Sequence, residues 1–309
     1  MQSLWMLFAS FMFTIMGVCV KLASDHYSTP EIIMYRGLVG LIFMFFFIKV
    51  RRGAFRTSLP LQHLWRGAVG VSALCLWFYA IAKLPLATAV TLNYMAPIWM
   101  AAILFGIGWW RGENRFEWGL ASAIAVSFAG VLLLLRPAVH ADLGLAFVAG
   151  LVSGVMTALA YLQVRRLSQL GEPEYRIVFY FSLTSTLTGL AFALSATHIS
   201  DGAAMTWHSH GAKGIALLLG VGVSATVAQM AMTRAYHLGK TLVSANLQYS
   251  GIVFSSIWGI LIWGDVLNWM GWLGMTMILV SGLAATFYNA RSVKPATGKI
   301  ASDPIASET

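Results

Sequence analysis

Val69-Gly70-Val71-Ser72-Ala73 recurs unchanged as Val221-Gly222-Val223-Ser224-Ala225, 152 positions further along the chain. One repeated pentapeptide could arise by chance, but the matches continue outward from it. Glu113 pairs with Asp265, Gly119 with Gly271 and Gly130 with Gly282, all at the same offset of 152. Tyr94, in Thr91-Leu92-Asn93-Tyr94, has its counterpart in Tyr249, in Asn246-Leu247-Gln248-Tyr249. Pro30-Glu31 is echoed by Pro173-Glu174. Features matched in one order mark an internal repeat, the first thing to establish about an unknown chain.

Composition says what surrounds the repeat. Of 309 residues, 59% are hydrophobic and 10% charged, against roughly 25% charged in a soluble domain. The mean hydropathy of +0.75 agrees. So few charges cannot cover a water-facing surface of this size, which argues against a soluble enzyme or a nucleic-acid binder. Ten apolar runs lie near residues 3–22, 32–50, 64–83, 87–109, 117–136, 143–162, 176–196, 213–235, 242–264 and 269–289. Each has about the 20 residues that cross about 30 Å of hydrocarbon. The first begins almost at Met1 without the basic segment of a signal peptide, so it reads as a retained helix.

The expected fold is therefore all-α and membrane-integral, with ten transmembrane helices as two inverted five-helix repeats. Residues 1–137 form the first unit (helices 1–5) and 138–290 the second (helices 6–10), and 291–309 is a disordered cytoplasmic tail. Five is odd, so the copies cross the bilayer in opposite senses. Such inverted repeats are a transporter architecture, with the substrate near the midplane between the units.

The net charge of +9 is a topology signal. With the N-terminus in the cytoplasm, 15 of the 20 basic residues fall on that side, Arg66 counted among them as a loop residue. By the positive-inside rule both termini are cytoplasmic, and no nucleic-acid partner is implied. Cys19 and Cys75 lie within apolar runs, too few for a disulfide framework.

Polar groups inside spans are costly and normally have a role. Arg36 sits in the outer part of the second span, where it either snorkels to the headgroups or anchors an anion in a cavity. Asn93 and Tyr94 in the fourth span, and Asn246, Gln248 and Tyr249 in the ninth, offer donors and acceptors without full charge. They bracket the midplane from opposite sides. Trp77 and Gln229 are further wall candidates. Pro97 removes a backbone hydrogen bond from the fourth helix. The second copy has Ile252 at that place, so the two fourth helices need not bend alike. Ser182, Thr184, Ser185, Thr186 and Thr188 read as close helix packing, and Lys21 and Lys83 as snorkelling cations. His198, His208 and His210 read as a solvated loop, and no metal site is expected.

The chain resembles the EamA-type, ten-helix branch of the drug/metabolite transporter superfamily over about residues 3–290. The resemblance is carried by Leu84-Pro85-Leu86-Ala87 through Tyr94-Met95-Ala96-Pro97, by Gly112-Glu113 and Gly264-Asp265, by Gly130 and Gly282, and by Arg36-Gly37. It implies secondary transport of small metabolites, amino acids or related compounds, with export the expected direction. The substrate-binding candidates are Arg36, Trp77, Asn93, Tyr94, Gln229, Asn246, Gln248 and Tyr249. Catalytic residues, metal and cofactor are expected to be absent: there is no His-Glu-x-x-His and no nucleotide-binding glycine loop. The expected partners are a small-molecule substrate and the lipid bilayer of the inner membrane. Monomer and homodimer both stay open. So do an uncoupled facilitator or channel, and an importer of a vitamin or nucleoside-type compound.

Overall fold

The computed structural model describes residues 4–110, 144–199, 210–239 and 241–264 continuously, with His208 and scattered positions in 122–133 and 266–284. Every regular element among the described residues is helical. We number the helices α1 (Leu4–Ala23), α2 (Thr29–Val50), α3 (Pro60–Lys83), α4 (Leu86–Asn93), α5 (Ala96–Trp110), α6 (Gly144–Gln169), α7 (Glu174–Ile199), α8 (Ala212–Leu238), α9 (Thr241–Leu247) and α10 (Ser250–Trp258). A π-helical turn, Gly259–Trp263, extends α10.

Among the described residues, seven helical stretches are long and apolar enough to cross a membrane: α1, α2, α3, α6, α7, α8 and the run Val243–Trp263. The expected fourth span is present as two pieces, α4 and α5, each too short to cross alone. The expected fifth and tenth spans fall largely outside the described residues, as do Glu113, Asp265 and the tail.

Local chemistry places the ends. Ser28 caps α2 in a capping box with Glu31, the two side chains each accepting from an otherwise orphaned backbone donor, and Pro30 occupies its first turn. Lys21 does not snorkel: its Nζ donates to the carbonyls of Ile81 (2.9 Å) and Leu84 (2.8 Å), closing the C-terminus of α3, where a cation meets the negative end of the helix dipole.

Between helices in a bilayer there is little hydrophobic drive, so close packing through small residues takes over. The broadest contacts are α1 with α8, α2 with α7 and α3 with α6. A Cβ on Gly37 would stand 2.6 Å from the Thr186 backbone nitrogen. Only glycine lets α2 approach the hydroxyl-rich face of α7 this closely. The burial pattern inverts that of a soluble protein. Phe43, Phe46, Leu187, Phe192 and Leu261 are exposed, whereas Asn93, Thr157, Gln229, Asn246 and Gln248 are buried.

Candidate functional site

One face of α3 opens the site. Arg66, Gly70, Ala73, Leu74 and Trp77 follow each other at steps of four, three, one and three residues, a single helical stripe. They line a small central cavity of about 50 Å³. Met16 of α1, Arg36 of α2, Asn93 of α4, Tyr161 of α6, Phe181 of α7 and Gln229 of α8 complete its wall. The lining thus comes from both halves of the chain.

Four of the eight sequence candidates, Arg36, Trp77, Asn93 and Gln229, line this cavity directly. Two more stand immediately behind it. The Tyr94 ring lies 6.4 Å from that of Trp77, and Gln248 Nε2 donates to the Tyr161 hydroxyl at 3.1 Å. Asn246 turns elsewhere, its Nδ2 donating to the Ser281 carbonyl at 3.3 Å. Tyr249 is buried but does not line the cavity.

The fourth and ninth spans both break beside this space. Helix α4 stops at Asn93 and α5 resumes at Ala96; α9 stops at Leu247 and α10 resumes at Ser250. Helix α4 packs on α10, and α5 on α9. A Cβ on Gly251 would stand 2.4 Å from Tyr94 Cε2, so the Tyr94 ring lies flush against the second break. Both breaks hang on one stripe of α6. Asn93 Nδ2 donates to Ser153 Oγ (3.0 Å) and Thr157 Oγ1 (2.9 Å), and Gln248 reaches Tyr161 one turn further on. Residues 153, 157 and 161 are four apart and share a face. Gly154 beside them admits the Leu92 carbonyl, which would lie 2.7 Å from an added Cβ.

Arg66 requires a correction. Helix α3 begins at Pro60, so Arg66 lies well inside the helix and not in a loop. Its side chain is buried and folds over Gly70, where a Cβ would meet its Nη1 at 1.9 Å. Its guanidinium carbon stands 4.1 Å from the Phe181 ring centroid, and that of Arg36 stands 5.0 Å from the same centroid. Neither arginine has an acidic partner among the described residues. Arg36 donates one long bond to Ser185 Oγ (3.5 Å), and its Nε has no partner, like Nε and Nη1 of Arg66. Cation–π contact offers only about 0.5–2 kcal/mol against the larger cost of an unpaired buried charge. The step from Arg66 to a glycine four residues on was the legible signal; Tyr161 and Phe181 carried none beyond their apolar spans.

Polar clusters lie at both ends of the bundle. Where α3 and α7 begin, Glu172 accepts from Thr57 (2.5 Å) and Arg176 (3.0 Å) and approaches His63 Nε2 at 3.5 Å. Burial pushes the Glu172 carboxyl up, but these hydrogen bonds and cations outweigh it and hold it below the usual glutamate range. At the other end Glu31 meets His208 Nδ1 at 3.1 Å, so His208 is tied to the cap of α2. Among the described residues no three His, Cys, Asp or Glu side chains gather as a metal site.

The EamA-like transporter family model matches residues 1–136. The pseudopaline exporter of Pseudomonas aeruginosa is 31% identical over 277 residues, covering 89% of this chain and 92% of that protein. This chain belongs to the EamA-like transporter family. It is also 26% identical over 286 residues to a riboflavin transporter of Vibrio cholerae, covering 90% of each. A solved crystal structure superposes with a TM-score of 0.72 at 15% identity, covering 94% of this chain and 99% of the other, a likeness of fold. A membrane transporter, and not an enzyme, is what these relatives and the apolar helices establish.

Proposed function

We propose that this EamA-family chain is a secondary active transporter that moves a small metabolite outward across the cytoplasmic membrane by alternating access. The central cavity carries the reading. It draws its walls from both halves, holds the buried polar side chains of Arg36, Arg66, Asn93, Thr157 and Gln229 in that wall, and lies where two helices break. Broken helices at membrane depth are tolerated where they line such a space.

The proposed units, 1–137 and 138–290, explain the helix pairing. Exchanging the units turns the α1–α8 contact into the α6–α3 contact and maps the α2–α7 pair onto itself. Two inverted five-helix repeats around an axis in the membrane plane would pack this way. Cytoplasmic termini rest on the Lys and Arg bias, which survives the transfer of Arg66 into the membrane. The export direction is favoured by a relative named as an exporter, at higher identity than the riboflavin transporter. In the site, Arg36 holds an acidic group of the substrate, Asn93 and Gln229 supply neutral hydrogen bonds, and Trp77 walls off the apolar part. Tyr94, Gln248, Asn246 and Tyr249 hold the breaks around it.

Metabolite profiling of cells with and without the gene identifies the substrate, and counterflow in proteoliposomes then tests the mechanism. A carrier exchanges labelled for unlabelled compound and transiently accumulates the label. Simple equilibration of the label overturns the carrier reading in favour of a channel.

A further inference from the structure

Two guanidinium groups share the cavity wall around one phenyl ring. Their distances to the Phe181 centroid, 5.0 Å and 4.1 Å, put the two carbons no more than about 9 Å apart, the sum of the two. Both side chains are buried, with 4% of Arg36 and 3% of Arg66 exposed. Four acidic residues occur among the described residues, and none meets either arginine. Glu31 is held by Ser28 and His208, Glu172 by Thr57, Arg176 and His63, and Glu174 by His237. Asp25 lies in the loop after α1. Two like charges cannot stabilise each other, so helix packing alone does not account for the pair. A single carboxylate bridging the two would set one negative charge against two buried positive ones, whereas two carboxylates match the pair charge for charge.

We infer that the cavity recognises an organic anion with two carboxylates, one taken by Arg36 and the other by Arg66. Arginine pairs with a carboxylate through two parallel N–H···O bonds, and Arg36 Nε and Arg66 Nε and Nη1 are free to make them. Met16, Leu74 and Trp77 line the same cavity and receive the carbon skeleton between the acid groups. This deepens the transport reading and rests on it.

The test is thermal unfolding of the purified full chain in detergent, with succinate, glutarate, butyrate, inorganic phosphate or chloride added. A ligand of the folded state stabilises it in proportion to ln(1 + [L]/Kd). Succinate or glutarate is expected to raise the unfolding temperature by about 3 °C or more and to saturate; butyrate, phosphate and chloride are expected not to. Arg36→Gln and Arg66→Gln should each weaken dicarboxylate binding about 10- to 100-fold, the loss of one charged hydrogen-bonded partner. Without ligand, both variants should unfold at or above the wild-type temperature, because each removes an uncompensated buried charge. Should either Gln variant fail to fold, Arg66→Lys, which keeps the charge and loses the fork, should still weaken binding. Equal protection by butyrate, protection by phosphate or chloride alone, no protection by any probe, or unchanged dicarboxylate affinity in the variants overturns the inference. Counterflow of succinate and of riboflavin in proteoliposomes separates its failure from that of the transport reading. Riboflavin exchange at equal rates in wild type and Arg66→Gln, without dicarboxylate protection, leaves a carrier and removes the dicarboxylate. Dicarboxylate protection with no exchange of either compound leaves the binding site and removes the carrier.

Discussion

The two helix breaks differ in chemistry and agree in shape. After Asn93 the chain carries Pro97, whose missing N–H leaves the Asn93 carbonyl without its helical donor. After Leu247 there is no proline, yet the helix stops just as sharply. Successive short-range bonds tighten it there: Gln248 N to Ala245 O (3.2 Å), Tyr249 N to Asn246 O (3.1 Å), Gly251 N to Gln248 O (2.9 Å) and Ile252 N to Tyr249 O (2.9 Å). The same three-residue reach appears at Met95 N to Leu92 O (3.5 Å) and Ile98 N to Met95 O (3.0 Å). Proline is therefore not what the breaks share. They share an amide side chain followed by tyrosine, the common α6 stripe that holds both amides, and each other's company.

The identical pentapeptides teach the same lesson about content. Gly70 receives the Arg66 guanidinium, whereas a Cβ on Gly222 would stand 2.3 Å from Val39 Cβ, so α2 fills that notch. One copy of the motif opens onto a charge and a cavity; the other closes onto a helix. Both cavity cations thus come from the first half, and the second half contributes Tyr161, Phe181 and Gln229 around them.

The largest effect is expected from pressing the breaks apart. Gly251→Ala places a methyl group where the buried Tyr94 ring now lies, an overpacking cost of about 1–3 kcal/mol. Thermal unfolding should show the loss, and adding Tyr94→Ala should recover part of it, since residues in contact are non-additive. Strict additivity in that cycle would show that the ring and the second break do not meet.

Asn93→Leu comes next. It strands the Thr157 hydroxyl, while Ser153 keeps its bond to the Gly150 carbonyl at 2.6 Å. We expect about 1 kcal/mol of destabilisation and transport lowered at least about tenfold once a substrate is in hand, because Asn93 also lines the cavity. Gln248→Leu should cost less stability, about 0.6 kcal/mol for one hydrogen bond between membrane helices. Its signature is a raised KM, read from initial rates, as Tyr161 loses the bond that orients it. Wild-type KM would mean that Tyr161 needs no such support.

Pro97→Ala is expected to do least, with stability changed by no more than about 1 kcal/mol and the break still present, because the second break forms without proline. Loss of transport at normal membrane abundance would make the first break a proline kink after all and end the likeness.

The membrane class was legible because composition survives any error in span boundaries. The second break was not, because its cause is a tightened turn between packed helices and not a residue type. Arg66 lay within the expected third span, 64–83, near its edge, and was counted with the loop charges; the helix from Pro60 sets it nearly two turns in, which makes it a cavity charge. Asn246 and Gln248 looked alike in sequence, but positions two apart lie on nearly opposite sides of a helix. One therefore reaches Ser281 while the other reaches Tyr161.

The central claim is that the cavity is the substrate's path through the protein. Ala73 lines it on the same face of α3 as Arg66 and Trp77. With Cys19 and Cys75 replaced by serine, Ala73→Cys can be challenged with a membrane-impermeant maleimide in right-side-out and in inverted vesicles. Alternating access predicts labelling from both sides, slowed from both by the transported compound. Labelling from one side only, or from neither, would contradict it.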